Sequence, residues 1–374
     1  MQIRIATFTV HKRFALTISR GTTAQTTNVW VEVEQDGIRG WGEASPFSIG
    51  EFPQSTTAIA QSLQKIAPLL KAVSPLERQR IESLMNQTRL SSGARAALDI
   101  ALHDWLGKQA NLPLWQLWGL DRDRIVPTSV TIGISDPETA QQRVRHWLGK
   151  GTVTTPGHAI QALKLKLGSP AGLEADQAMV QAVQAVAPNI PQISVDANGG
   201  WSLNQALQMA DWLAERGITY IEQPLAKGQE GDLPELYRQS PLPIFVDESC
   251  FTSYDVLPLA DRVHGINIKL MKTGGLTEAL RLIDTARACG LKVMFGCYSD
   301  SSLLNTALAH LSPLADYLDL DSHLNLLDDP FRGARFQNGR LIPTQDPGLG
   351  VRWVGQGNQE VATRLVNASG STYD

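Results

Sequence analysis

The sequence predicts an α/β protein in which a parallel barrel of eight strands follows a smaller α+β domain. Three observations lead there. The chain has 374 residues, more than one core usually holds, so either a barrel of about 250 residues with a second domain or two comparable domains is expected. Strands precede helices in the first third, whereas eight short apolar runs alternate with amphipathic stretches after residue 125. Charged residues recur at the ends of those runs at nearly constant spacing.

Residues 1 to about 35 read as two strands around a polar stretch, SRGTTAQTTN, then a turn at Asp36-Gly37 and a third strand toward Trp41. From Thr56 to about Gln109 the apolar spacing becomes three and four residues. In ARAALDIALHDWLGK, Ala97, Ile100, Ala101, Trp105 and Leu106 share one helical face. Residues 1–122 are therefore assigned to an α+β capping domain.

The apolar runs that follow are SVTIGI, ALKLKLG, ISVDANG, YIEQPL, IFVDES, INIKLMK, KVMFGC and YLDLDS. Helical candidates such as PETAQQRVRHWLGK, LEADQAMVQAVQAV and LTEALRLIDTARACG separate them, several closed by Gly. One marker at each strand end from the second on gives Lys166, Asp196, Glu222, Asp247, Lys269, Cys297 and Asp321, with spacings of 30, 26, 25, 22, 28 and 24. Eight such units suit a closed barrel better than an open sheet, and residues 123–340 are assigned to it. Residues 341–374 are expected to return to the capping domain and then fray.

Composition narrows the function. Apolar residues form 43% of the chain and charged residues 19%, which excludes a disordered chain. Lys plus Arg total 33 against 37 Asp plus Glu, a net charge of −4, and no basic run offers a footprint for nucleic acid. No apolar stretch is long enough to span a membrane and the amino terminus lacks a signal-peptide pattern, so a cytoplasmic protein is expected. The three cysteines, Cys250, Cys289 and Cys297, argue for a reducing compartment, and the sequons at Asn86 and Asn367 then carry no weight. A small-molecule partner is expected.

Barrels place their chemistry at the carboxyl ends of the strands, and here those ends are charged in an ordered way. Lys164 and Lys166 share a face of the second strand, and Asp319 and Asp321 share one on the eighth. Asp196, Glu222 and Asp247 end the third, fourth and fifth strands. Three carboxylates in a dry mouth are unfavourable without a cation, and an all-oxygen set with open positions suits Mg2+. Lys166 and Lys269 end strands four apart in the ring, so they flank whatever lies on the ion. Burial, the Lys164 ammonium and the ion should lower a lysine toward a useful base. Together these groups describe proton abstraction beside a carboxylate, with the ion stabilising the enediolate. A single strand-end acid more often caps a helix or pairs with a lysine, but six ordered positions and a buried Lys-x-Lys go beyond that.

The series KLK, VDAN, IEQP, VDES and NIKLMKTGG resembles the enolase superfamily in its muconate-lactonizing subgroup, with GWGEASP and DPGLGV extending the likeness over nearly the whole chain. The resemblance implies a modified TIM-type (β/α)7β barrel with Mg2+ on Asp196, Glu222 and Asp247. It implies acid/base roles for Lys166 and Lys269, and places Lys164 on the substrate carboxylate. Homo-oligomerisation is expected from the family. Thr131 and Cys297 are pocket contacts by family position, Cys297 as a small lining residue rather than a nucleophile. His264 and His323 read as structural.

The subgroup contains cycloisomerases, o-succinylbenzoate synthases, N-acylamino acid racemases and dipeptide epimerases. YLDLDSHLNLL looks like the Asp-x-Asp segment of dipeptide epimerases of the L-Ala-D/L-Glu kind, in which Asp319 and Asp321 would hold the free ammonium of a dipeptide. Epimerisation of L-Ala-L-Glu-like or hydrophobic L,L-dipeptides at the C-terminal residue is therefore the main expectation. N-acylamino acid racemase or o-succinylbenzoate synthase is the rival, and a non-catalytic binding barrel a rival of another class. Selectivity is expected from the first domain, around Arg20 and Phe47; Arg20 either reads an acidic side chain or is a solvated surface residue. The chain departs from the family in a longer segment before ALKLKLG, in Asp300 where Glu is common, and in WGLDRD at the end of the first domain.

Overall fold

The structure, a computed structural model, describes residues 1–49, 54–149 and 160–355. The long segment before Lys164 and the end of the tail lie outside them. The cap opens with strands β1 (Gln2–Ile18), β2 (Gly21–Gln35) and β3 (Ile38–Ala44), an antiparallel meander. The polar stretch expected as a loop is part of this ladder. Only Ser19 and Arg20 turn the chain, and pairing runs from Ile18↔Gly21 outward, with a register shift between His11 and Leu16. Alternation is lost because residues 21–25 are exposed on both faces. Threonines supply the β-branched stiffness and cross-strand hydroxyl pairs instead, Thr17 with Thr22 at 2.9 Å and Thr9 with Thr27 at 2.8 Å.

Helices α1 (Thr56–Leu70), α2 (Arg78–Gln87) and α3 (Ser92–Gln109) complete the cap. The α3 helix is buried nearly all round, because it lies between the sheet and the barrel. Its backbone approaches β3 so closely that a Cβ on Gly42 would stand 1.9 Å from the Ala97 carbonyl oxygen. Glycine there is a packing requirement.

The barrel strands are β4 (Ser129–Ile132), β5 (Ala162–Lys166), β6 (Gln192–Asp196), β7 (Ile221–Glu222), β8 (Ile244–Val246), β9 (Gly265–Ile268), β10 (Lys292–Gly296) and β11 (Tyr317–Asp319). They pair in sequence order, all parallel. A parallel bridge between Thr128 and Leu318 closes the ring, reinforced by the Leu320 N–H donating to Thr128 Oγ1 at 2.7 Å. Seven connecting segments carry helices on the outside, the pattern of a (β/α)7β barrel. The end away from the site is packed with Tyr220, Phe245, Met294 and Tyr317.

Residues 348–353 touch the cap. The Leu114 N–H donates to the Gly348 carbonyl, and Trp353 stacks on Trp30 at 5.8 Å between ring centres. Two cap carboxylates meet the first turns of two barrel helices. Glu43 accepts from the Ser301 and Leu304 N–H groups, and Asp99 accepts from the Thr277 N–H at 3.0 Å. Both satisfy free N–H groups at a helix start across the domain boundary, and Asp99 also complements the positive end of the dipole.

Candidate active site

Strand register places the charged groups. Lys166 is aligned with Asp196 across β5 and β6, and Asp196 with Glu222 across β6 and β7. Asp247 follows β8, and Lys269 follows β9. Around the ring the order is lysine, three carboxylates, lysine. Lys166 and Lys269 both line one chamber of about 700 Å³ under the cap. Room for the Lys269 arm comes from Gly296 on β10, where a Cβ would stand 2.8 Å from Lys269 Cε.

The carboxylates are drawn to lysines. Lys166 Nζ lies 2.6 Å from Asp196 Oδ2 and Lys269 Nζ 2.7 Å from Asp247 Oδ2. Lys164, fully buried, is 2.7 Å from Asp319, 3.8 Å from Asp196, and in close contact with Glu222. Among the described residues no three such groups stand as a ready-made metal cage, because Asp196, Glu222 and Asp247 each face a lysine. The donor set nevertheless fits a hard divalent cation, with three buried carboxylates on consecutive strands. Burial, then Asp196 and Asp247, pushes Glu222 up to about 7, the crowding such an ion relieves.

The same pairing acts on Lys269. Burial pulls the Lys269 ammonium down, but Asp247, Tyr298 and Glu222 outweigh it and hold the group well above the usual lysine range. In this arrangement each carboxylate neutralises a lysine, and that pairing sets the direction.

Asp319 and Asp321 are brought together by Thr131, whose N–H donates to Asp321 Oδ2 at 2.6 Å and whose hydroxyl donates to Asp319 Oδ1 at 3.1 Å. Asp319 also accepts from Ser129 Oγ at 2.8 Å. Burial opposes ionisation of Asp319, yet Lys164 and Lys166 bring it down to about 2. Burial and Asp319 raise Asp321 to about 6. Cys297 lines the chamber with Sγ 3.9 Å from Asp321, and burial with that aspartate pushes its thiol far up, so it is no nucleophile. His264 accepts the Ile244 N–H at 3.0 Å, as a structural histidine does.

Asn198, Gln223, Asn267 and Lys272 escape sequence reasoning although they lie inside the motifs it quotes. Asn267, two residues before Lys269 and so on its face, donates to Glu222 Oε1 at 2.7 Å. Gln223 accepts the Asp247 N–H at 2.8 Å, and Lys272 donates to the Cys250 carbonyl at 2.7 Å while lying 2.7 Å from Asp247 Oδ1. Asn198 donates to Asp196 Oδ2 at 3.1 Å and Glu248 Oε1 at 3.2 Å. Asp300 accepts from Tyr298 N–H at 2.9 Å and from the Ser45 hydroxyl of the cap. Arg20 is half-exposed but not merely solvated, because its guanidinium is engaged by Glu248 and the Asn198 carbonyl.

A lysine–acid–lysine rim under an α+β cap defines a class of barrel enzymes that move protons beside carboxylates. The family model of the mandelate racemase / muconate lactonizing enzyme N-terminal domain matches residues 2–119, and the enolase C-terminal domain-like model matches residues 143–356. The chain belongs to the enolase superfamily. It is similar to a hydrophobic dipeptide epimerase from a Flavobacteria bacterium, 44% identical over 344 residues covering 92% of this chain and 95% of the relative. A second hydrophobic dipeptide epimerase, from Roseobacter litoralis, is 45% identical over 94% of this chain and 98% of its own. The crystal structure of a dipeptide epimerase from Cytophaga hutchinsonii, complexed with Mg and D-Ala-L-Val, is 27% identical and superposes with a TM-score of 0.87, covering 97% of each chain.

Proposed function

We infer that this chain is a Mg2+-dependent isomerase that epimerises dipeptides at the C-terminal residue. The observation that carries the reading is the order of side chains around the strand ends of the ring, Lys166 and Lys269 on either side of Asp196, Glu222 and Asp247, with the Asp319–Asp321 pair on the last strand and both lysines opening on the chamber. The likeness to dipeptide epimerases along nearly the full chain supports it.

Asp196, Glu222 and Asp247 would hold the ion, which supplies charge stabilisation for the substrate carboxylate. Lys164, fully buried against Glu222 and Asp319, would add positive charge beside those acids. One lysine, as the neutral amine, takes the proton from the α-carbon and leaves an enediolate. The opposite lysine, as the ammonium, returns a proton to the other face. Each turnover therefore exchanges the protonation states of the two lysines, and proton exchange with solvent resets them for the next. Asp319 and Asp321, ordered by Thr131, receive the free ammonium of the dipeptide.

The side chain of the C-terminal residue is apolar in this reading. Leu16, Ile18, Phe47 and Tyr298 line the chamber, and Phe47 stacks on Tyr298 with ring centres 5.1 Å apart. Arg20 spends its guanidinium on Glu248, so an L-Glu side chain finds no committed cation there. Among the described residues no helix is long and apolar enough to cross a membrane. The free cysteines fit a cytoplasmic site of action.

Dipeptides incubated with the protein and Mg2+ in deuterated water test the reading. Deuterium should enter at the C-terminal α-carbon of hydrophobic L,L-dipeptides. Exchange confined to N-acyl amino acids would make the chain an N-acylamino acid racemase, and silence toward all substrates would favour a non-catalytic barrel.

A further inference from the structure

Arg20 stands between two cavities. It lines the reaction chamber of about 700 Å³, and it also lines a second cavity of about 500 Å³ bounded by Gly168, Asn198, Lys227 and Glu248. Its Nη2 donates to Glu248 Oε1 at 2.7 Å and its Nη1 to the Asn198 carbonyl at 2.7 Å, a carbonyl that also accepts from Ser19 Oγ at 3.0 Å. Glu248 is only 3% exposed, and its other oxygen, Oε2, has no hydrogen-bond partner among the described residues. Lys227, the other cation of the second cavity, sits over the Phe251 ring at 4.9 Å. A buried carboxylate requires a cation, and for Glu248 the cap delivers one across the domain boundary.

We propose that Arg20 is a specificity-determining gatepost: its guanidinium fills the place that a cationic substrate side chain would take against Glu248, and so closes the second cavity to the substrate. The proposal rests on the dipeptide reading and deepens it by naming what keeps cationic side chains out. Two terms act together. Arg20 repels an incoming ammonium or guanidinium, and it leaves Glu248 already neutralised. Replacing Arg20 by Met keeps an unbranched stem, removes the charge, joins the cavities and leaves the Glu248 carboxylate to whatever cation enters.

The test compares wild type with Arg20→Met and Arg20→Lys on two dipeptides, L-Ala-L-Leu and L-Ala-L-Lys, by deuterium incorporation with Mg2+ present. In Arg20→Met the ratio of kcat/KM for the Lys dipeptide to that for the Leu dipeptide should rise by roughly 10-fold or more, the size of one charge-assisted hydrogen bond. In Arg20→Lys, which keeps a cation at the gate, the ratio should stay near that of wild type. An unchanged ratio in Arg20→Met overturns the gatepost. Amide hydrogen exchange over residues 16–23 reads the clasp without turnover, and should quicken in Arg20→Met. Equal exchange in both proteins overturns the clasp. Wild type inert toward both dipeptides would sink the dipeptide reading, and the exchange comparison would still decide the clasp.

Discussion

Glu43, on the last strand of the cap, accepts a hydrogen bond from the Ser301 backbone N–H at 3.0 Å, so a carboxyl of one domain closes the first turn of a helix of the other. It also accepts from Asn28 Nδ2 at 2.7 Å and Leu304 N–H at 3.2 Å. Glu43→Ala would strand these donors in a dry interface. A loss of about 2–4 kcal/mol is expected from the cost of unpaired buried groups, read as a lower urea midpoint.

The same residue gives stability a pH slope. Burial and Asp300 raise Glu43 to about 8, although its hydrogen bonds oppose the rise. The folded state then binds a proton that the unfolded chain has released, so this contribution is full below pH ~4.5 and fades as pH climbs toward ~8. Glu43→Gln should flatten the decline between those limits. An unaltered slope in urea titrations would show that Glu43 is ionised when folded.

His310 works in the opposite sense. Its Nδ1 accepts the Trp115 N–H at 3.1 Å and its Nε2 lies 3.1 Å from the Leu349 carbonyl, which fixes a neutral ring between helix, cap and tail. Burial lowers it to about 4. Unfolding takes up a proton between pH ~6.5 and ~4, so stability present above that window is lost as pH falls through it, by up to about 3 kcal/mol. His310→Gln should reduce the acid slope but not abolish it, because burial also lowers His323 to about 4. Melting temperatures across the window measure both effects.

Lys166→Ala and Lys269→Ala should each reduce epimerisation by about 10²–10⁴-fold, the range for a positioned acid or base. Circular dichroism at neutral pH checks that the fold persists. Inversion surviving at wild-type rate in either variant would remove that lysine from the reaction.

Asp321→Asn should raise KM for dipeptides by roughly 10–100-fold, equivalent to one charge-assisted contact, and change the handling of N-acyl amino acids far less. Equal effects on both substrate classes would mean that the aspartate pair only shapes the rim.

Mg2+ added to chelator-treated protein should raise the melting temperature in a concentration-dependent way, since a ligand that binds the folded state stabilises it by mass action. Glu222→Gln and Asp247→Asn should weaken that response. A response identical to that of wild type in both variants would place the ion elsewhere.

The barrel was legible because six of the eight units end in a charge that interrupts an apolar run, and the regular spacing of the strand ends mirrors the ring. Lys166, Asp196, Glu222, Asp247 and Lys269 could be ordered for the same reason. The hairpin tip at residues 21–25 was harder to read, since a strand wet on both faces carries no alternation. Arg20 could not be placed at all from local sequence. Its partners, Asn198 and Glu248, lie 178 and 228 residues away, and only the closed ring brings them near. The pairing of Lys269 with Asp247 was equally out of reach, since the two residues end different strands.

The apolar wall of the chamber and the charged rim come from different parts of the chain. The hairpin tip that carries Leu16, Ile18 and Arg20 is built from local pairing within the meander, whereas the lysines and acids need the entire ring. Transplanting that single antiparallel arm between related barrels should therefore carry substrate preference with it as a cassette, while the proton-moving rim remains untouched beneath.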